Sequence, residues 1–423
     1  MLQRFTLLCI SGGLVLATGC NKPTPEPKAP ATTTTAAPAP ATTQPPATPP
    51  AKPDDPAAIA ELEKAKVILT RNAAGNVERA DCKEAALSDA QLELFKGLPS
   101  LTYLSLENSE VTNSGLGTLA GIVPQLRVLG LRKCTAVSDE GLGQLKTLTN
   151  LEQLLLLYSR ITDAGMPYVA ELKGLRALDL RGCTQITDAG LAEVGKISTL
   201  VDLKLRNFEL TDAGVKHLAN LKLRTLEIED ANAVTSDGMV HLAGMTDLTK
   251  LNLMRTHIDD KGLESLAGMK KLRDLRLRGT SIDGTGLKHV LGSKDTLVYL
   301  DVSETPFGSD GMPTIAELKN LETLEMWAAL IRDDDIPQLL GLAKLRDLSL
   351  EQCSRLTSEG LAKLAALPSL ESLNIKQTRI DNDGLVALSK APKLKSIDIS
   401  NTEVTDGAID KFKEARPNST VTY

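Results

Sequence analysis

From residue 101 onward the apolar positions of the chain follow a single rule. Leu101-Thr-Tyr-Leu104-Ser-Leu106 sets the pattern LxxLxL, and it returns beginning at Leu126, Leu151, Leu175, Leu200, Leu223 and Leu248. It continues at Leu272, Leu297, Leu321, Leu345, Leu370 and Leu394, in steps of 23 to 25 residues, giving thirteen copies. A degenerate copy precedes them, with Val77, Ala80 and Cys82 at the apolar sites. Alternation of this kind predicts a short strand with one buried face. The second half of each unit, as in Ile186-Thr-Asp-Ala-Gly190-Leu191-Ala-Glu-Val194, changes to helical spacing. Its Thr offers a helix-capping oxygen, and its Asp places negative charge at the positive end of a helix dipole. A unit of one strand and one helix cannot bury its apolar face alone, so neighbours must stack around one continuous core.

The unit Leu175-Arg-Ala-Leu-Asp-Leu-Arg-Gly-Cys183-Thr-Gln-Ile-Thr-Asp-Ala-Gly-Leu191 resembles the cysteine-containing leucine-rich repeat known from the recognition half of F-box proteins. The units holding Cys134 and Cys353 are similar. The resemblance runs from residue 77 to about 413 and leaves no room for an F-box. It implies an α/β leucine-rich-repeat solenoid, a curved horseshoe with a parallel sheet on the concave face and short helices on the convex face. Residues 57–100 are expected to form an N-terminal cap and the degenerate first repeat, residues 101–413 the thirteen repeats, and residues 414–423 a tail.

The N-terminus has a different character. Arg4 followed by the apolar run Phe5 to Ala17 reads as a signal peptide, residues 1–20, too short to span a bilayer. It ends Leu16-Ala17-Thr18-Gly19-Cys20, which resembles the bacterial lipobox, with Ala17 where Leu is usual. That resemblance implies lipidation of Cys20. Residues 21–56 hold twelve of the 21 prolines among Ala and Thr, a linker that cannot form a core. In polyproline II conformation, at ~3.1 Å per residue, it would reach on the order of 100 Å. The expected product is an exported protein of the cell envelope, lipid-anchored on its membrane. By analogy with enteric lipoproteins, Asn21 after Cys20 directs it to the outer membrane.

Composition adds limits. Aromatic residues make up 3% of the chain, so the core must be aliphatic. A net charge of -6 argues against nucleic acid as a partner held by bulk charge. Cys134, Cys183 and Cys353 share one site just after the strand. Cys134 and Cys183 lie two repeats apart, about 10 Å at ~4.8 Å per strand, beyond the ~7 Å that a disulfide tolerates. Small buried packing groups are therefore expected at these sites. Asp139, Asp163, Asp188, Asp212, Asp260, Asp333 and Asp406 form a straight row, whereas calcium needs oxygens that converge. His217, His241 and His289 sit at a solvated helix position. No metal, no cofactor and no catalytic constellation is expected.

What varies is the concave face. Repeat three offers Leu155, Leu157 and Tyr158 where the scaffold would accept polar residues, and repeats seven to ten offer Arg255, Arg276, Arg278, Tyr299, Glu325 and Trp327. Trp327, the only tryptophan, either faces the hollow or tucks under the adjacent loop. Trp, Tyr and Arg are the residues most enriched at binding hot spots. The expected function is a monomeric scaffold binding a protein or peptide. The alternative is an envelope-organising lipoprotein that binds glycan or peptidoglycan, for which five tyrosines and one tryptophan are few.

Overall fold

The computed structural model of the protein describes residues 52–423. The signal peptide, Cys20 and nearly all of the Pro/Ala/Thr segment lie outside the described residues. Sixteen strands form one open sheet whose spatial order is their order in sequence. They are β1 (Ile68–Arg71), β2 (Val77–Asp81), β3 (Tyr103–Ser105), β4 (Val128–Gly130), β5 (Gln153–Leu155), β6 (Ala177–Asp179), β7 (Asp202–Arg206) and β8 (Thr225–Glu229). The series continues with β9 (Lys250–Asn252), β10 (Asp274–Arg276), β11 (Tyr299–Asp301), β12 (Thr323–Glu325), β13 (Asp347–Ser349), β14 (Ser372–Asn374), β15 (Ser396–Asp398) and β16 (Thr420–Thr422). β1 and β2 pair antiparallel as a hairpin, behind a helix at Pro56–Lys64. All later pairings are parallel.

The register explains the leucine pattern. The second leucine of each LxxLxL pairs with its counterpart in the next strand, from Leu104 and Leu129 through Leu251 and Leu275 to Leu373 and Ile397. Each of these is at most 3% exposed, so the core is one aliphatic spine. Residues 414–423, expected as a tail, carry β16, which extends the sheet by one parallel strand. Its Thr-Val-Thr has too few apolar residues to show as a repeat.

Some convex segments are short α-helices, such as Asn113–Ile122 and Asp188–Val194, and others are tighter. Gly262–Leu266, Leu287–Ser293 and Asp333–Leu339 are 3₁₀ turns. Side chains three apart eclipse in such a turn. Leu263 and Leu266, Leu287 and Val290, and Ile336 and Leu339 thus enter the core together.

Two ladders outside the sheet fix the stacking. One residue after nearly every strand takes a left-handed conformation, among them Tyr158 (φ 55°), Arg255 (φ 55°), Glu304 (φ 54°) and Ala328 (φ 59°). The N–H of each donates to a carbonyl of the following repeat: Tyr158 to Arg181, Arg255 to Arg278, Glu304 to Trp327 and Ala328 to Glu351, at 2.7–2.9 Å. These bonds offset the steric cost of a positive φ.

The second ladder gives the aspartate row a further role beyond its place in the first helical turn. Asp89, Asp139, Asp163, Asp188, Asp212 and Asp333 each accept two hydrogen bonds from the threonine one repeat on. Asp163, for example, takes the N–H of Thr187 at 2.7 Å on one oxygen and its hydroxyl at 2.7 Å on the other. The same Thr187 hydroxyl accepts the N–H of Ala189, so it caps its own helix and joins the previous unit. Asp163→Ala is therefore expected to lower the unfolding free energy by about 2 kcal/mol in urea titration. Asp163→Asn should cost under ~1 kcal/mol, because Asn113 already performs this role toward Ser138 with bonds of 2.8 and 2.9 Å. Equal losses in both variants would show that the bridge contributes little.

Candidate functional site

The open face of the sheet falls into three zones. On β4 and β5 it is apolar: Leu155 and Leu157 are half-buried, and Tyr158 is 42% exposed. The Tyr158 ring lies over Gly182, where a Cβ would meet it at 2.4 Å. The Arg132 guanidinium lies 5.7 Å from the ring centroid.

From β6 to β10 the face is a lattice of opposite charges. Asp179 and Arg181 form a two-bonded pair at 3.0 and 2.7 Å. Glu227, 3% exposed, is met by Lys250 at 2.8 Å, Arg181 at 3.6 Å and Lys204 at 3.9 Å. Burial pushes its carboxyl up, but these cations outweigh that and leave it below the usual glutamate value. Arg206 and Arg255 share Asp230, and Arg276 holds Asp274 at 2.9 Å.

From β11 to β14 the lattice gives way to a hollow of ≈ 410 Å³ lined by Arg278, Tyr299, Asp301, Ser303, Glu325, Trp327, Ser349, Glu351 and Asn374. Parallel register sets Asp301 beside Glu325 and Glu325 beside Ser349. Arg278 bonds Glu304 at 2.6 Å and stacks on Trp327, its Cζ 4.5 Å from the ring centroid. Arg276 covers Tyr299 in the same way at 4.6 Å. Trp327 is half-buried, and its indole Nε1 is buried without a hydrogen-bond partner among the described residues. Burial, and then Asp301, push the Tyr299 hydroxyl up to about 12. Burial and the neighbouring Asp301 also hold the Glu325 carboxyl above the usual range.

A raised folded-state pKa means that the ionised carboxylate opposes folding, and that stability returns as pH falls toward that pKa. Glu325→Gln should accordingly raise stability at neutral pH, measured as an upward shift in the urea midpoint. A loss of stability would show that the carboxylate is well accommodated.

Of the residues singled out from sequence, the structure gathers Arg276, Arg278, Tyr299, Glu325 and Trp327 around this hollow. Arg255 is turned away toward Asp230 and Glu304. Leu155, Leu157 and Tyr158 form a separate patch, since β5 and β11 are six strands apart, roughly 29 Å along the sheet at ~4.8 Å per strand. Asp301, Ser303, Ser349, Glu351 and Asn374 were missed. They occupy the same outward columns as Glu325 and Trp327 in neighbouring repeats, which is the signal that would have found them.

The profile of a leucine-rich repeat region family matches residues 121–358, more than half of the chain, and a second leucine-rich-repeat profile matches residues 366–389. The chain is a leucine-rich-repeat protein. Proteins of this fold are typically interaction scaffolds. No curated protein sequence matches this leucine-rich-repeat chain. Among solved structures it is similar to an internalin from Listeria monocytogenes, at 19% identity over 87% of this chain and 95% of that one, with a TM-score of 0.54. A leucine-rich-repeat protein from Leptospira interrogans shares 18% identity over 79% of this chain and 88% of that one, TM-score 0.52. TLR13, solved as a complex with ssRNA13, shares 18% over 74% of this chain and 51% of that one, TM-score 0.51. At these identities the likeness is one of fold.

Proposed function

We propose that this leucine-rich-repeat protein is an exported, lipid-anchored scaffold that binds a protein or peptide through the concave face of its sheet. The observation that carries the reading is where the polar aromatics lie. Tyr103, Tyr158, Tyr299 and Trp327 belong to the open sheet face or its rim, with Tyr168 on a convex helix and Tyr423 near the C-terminus, whereas Phe95, Phe307 and Phe412 are buried in the core and Phe208 is exposed. Amphipathic rings beside arginine form typical binding anchors. The patch at Tyr158 and the hollow at Trp327 would engage an extended partner at two points. Peptide suits the hollow better than glycan, because guanidiniums already occupy a face of both rings there.

Lipidation at Cys20 and placement in the cell envelope, outer membrane included, belong to the same proposal. So does assignment of the repeats to the cysteine-containing type. It is supported by Cys134, Cys183 and Cys353, whose thiols donate to carbonyls of the preceding repeat at 2.9, 3.0 and 3.2 Å.

A photo-crosslinking amino acid at position 157 or 327 of the full chain, in living cells, should yield protein adducts. One at Val240, a residue 59% exposed on the convex side, should not. Equal adducts from all three positions, or adducts to cell-wall glycan alone, would overturn the reading. Cys20→Ser should move the protein from the membrane fraction to the soluble one, and unchanged fractionation would refute the anchor.

A further inference from the structure

The hollow on β11 to β14 differs from the rest of the face in its charge balance. Asp301, Glu325, Asp347 and Glu351 sit on three adjacent strands or just beyond them. Among the described residues only Glu351 has a cation within 4 Å, Lys376 at 2.9 Å. The one guanidinium lining the hollow, Arg278, is committed to Glu304. Glu227, by comparison, is contacted by three cations on the same sheet face. Asp301 is only 8% exposed. One of its oxygens accepts the Ser303 N–H at 2.9 Å, and the other, among the described residues, accepts no hydrogen bond while the side chain lines the hollow. Burial, and then the neighbouring Asp301, hold the Glu325 carboxyl above its usual range although Arg278 stands near.

Beside them the Trp327 indole N–H is buried with no acceptor among the described residues, so rotation of the ring would break no hydrogen bond there. No three acidic, histidine or cysteine side chains among the described residues converge as a metal would require. Two carboxylates with no cation within 4 Å among the described residues suit the charge-assisted hydrogen bonds of an organic cation.

Building on the concave-face reading above, we propose that the hollow receives a lysine or arginine side chain of a protein partner, its cationic head set between Asp301 and Glu325 against the Trp327 wall. A polypeptide fits better than a free polyamine, because the hollow is continuous with the open sheet face, whose outward columns run through the neighbouring repeats. The partner's backbone could then run toward the Tyr158 patch.

Trp327 is the only tryptophan, so fluorescence of the full-length protein reports on this site alone. Titration with an acetylated, amidated tetralysine or tetraarginine peptide should give a saturable change, and tetraglutamate should give none. Glu325→Gln should weaken the response roughly tenfold, about 1.4 kcal/mol. That variant is expected to keep or gain stability, so urea melts separate lost binding from lost fold. Asp301→Asn gives a second reading of the same effect. No change with either cationic peptide, equal affinity in the variants, or a response to spermine but not to the peptides would overturn the proposal. If protein crosslinks at positions 157 and 327 persist while the cationic peptides fail, the scaffold reading stands and the charge assignment falls.

Discussion

Gly286→Ala should destabilise the array by about 3 kcal/mol, at the upper end of what overpacking costs. A Cβ on Gly286 would lie 2.3, 2.7 and 2.8 Å from the O, Cα and C of Asp260, all backbone of the preceding repeat. That backbone cannot retreat freely, because the Asp260 carboxylate itself accepts the N–H groups of Gly286 at 2.6 Å and Asp283 at 2.7 Å. Gly190→Ala should cost less, roughly the 2 kcal/mol of the bridge to Thr187, since its nearest clash is with the Asp163 carboxylate oxygen, a side-chain end that can turn aside by giving up those bonds. Gly244, with nothing within 4 Å of its Cβ, should accept alanine within about 0.5 kcal/mol of neutral. Urea titration of the three variants tests the order. A Gly286→Ala no worse than Gly190→Ala would mean that the repeat spacing yields more easily than these contacts imply.

Leu251→Ala should cost 2–5 kcal/mol, roughly the range for emptying a leucine site in a core. Leu251 is fully buried and stands in register between Leu226 and Leu275. Each repeat touches only its neighbours, so a weakened unit mid-array divides the solenoid as well as lowering its stability. The expected sign is a second unfolding transition in urea, where the parent chain should show one. Ile397→Ala, on the penultimate strand, should only fray the end. A single transition of unchanged slope in Leu251→Ala would contradict the nearest-neighbour picture.

The leucine register and the strand-turn alternation were legible in the sequence because each depends on spacing within one unit. What escaped were interactions between units. The aspartate row was visible as a row, but the partner of Asp163 is Thr187, 24 residues on, and only stacking brings them together. Arg278 looked free for a ligand for the same reason, since Glu304 lies 26 residues away. β16 escaped because a backbone ladder can recruit Thr420–Thr422 without any leucine. The patch at Tyr158 was readable from chemistry alone, an apolar triplet in an outward column. The hollow was half-readable, through its rings and arginines but not through Asp301 or Ser349.

The aspartate-to-threonine bridge also has a grammar. Each unit offers an acceptor forward and presents a donor backward, so any unit of the run from Asp139 to Thr235 could be copied behind itself with both valences satisfied. That grammar fails where Gly284 stands in the acceptor's place and Gly308 in the donor's. Tandem duplication could thus lengthen the horseshoe freely on one side of that junction, while the junction itself, directly before the acidic hollow, is held to a single copy.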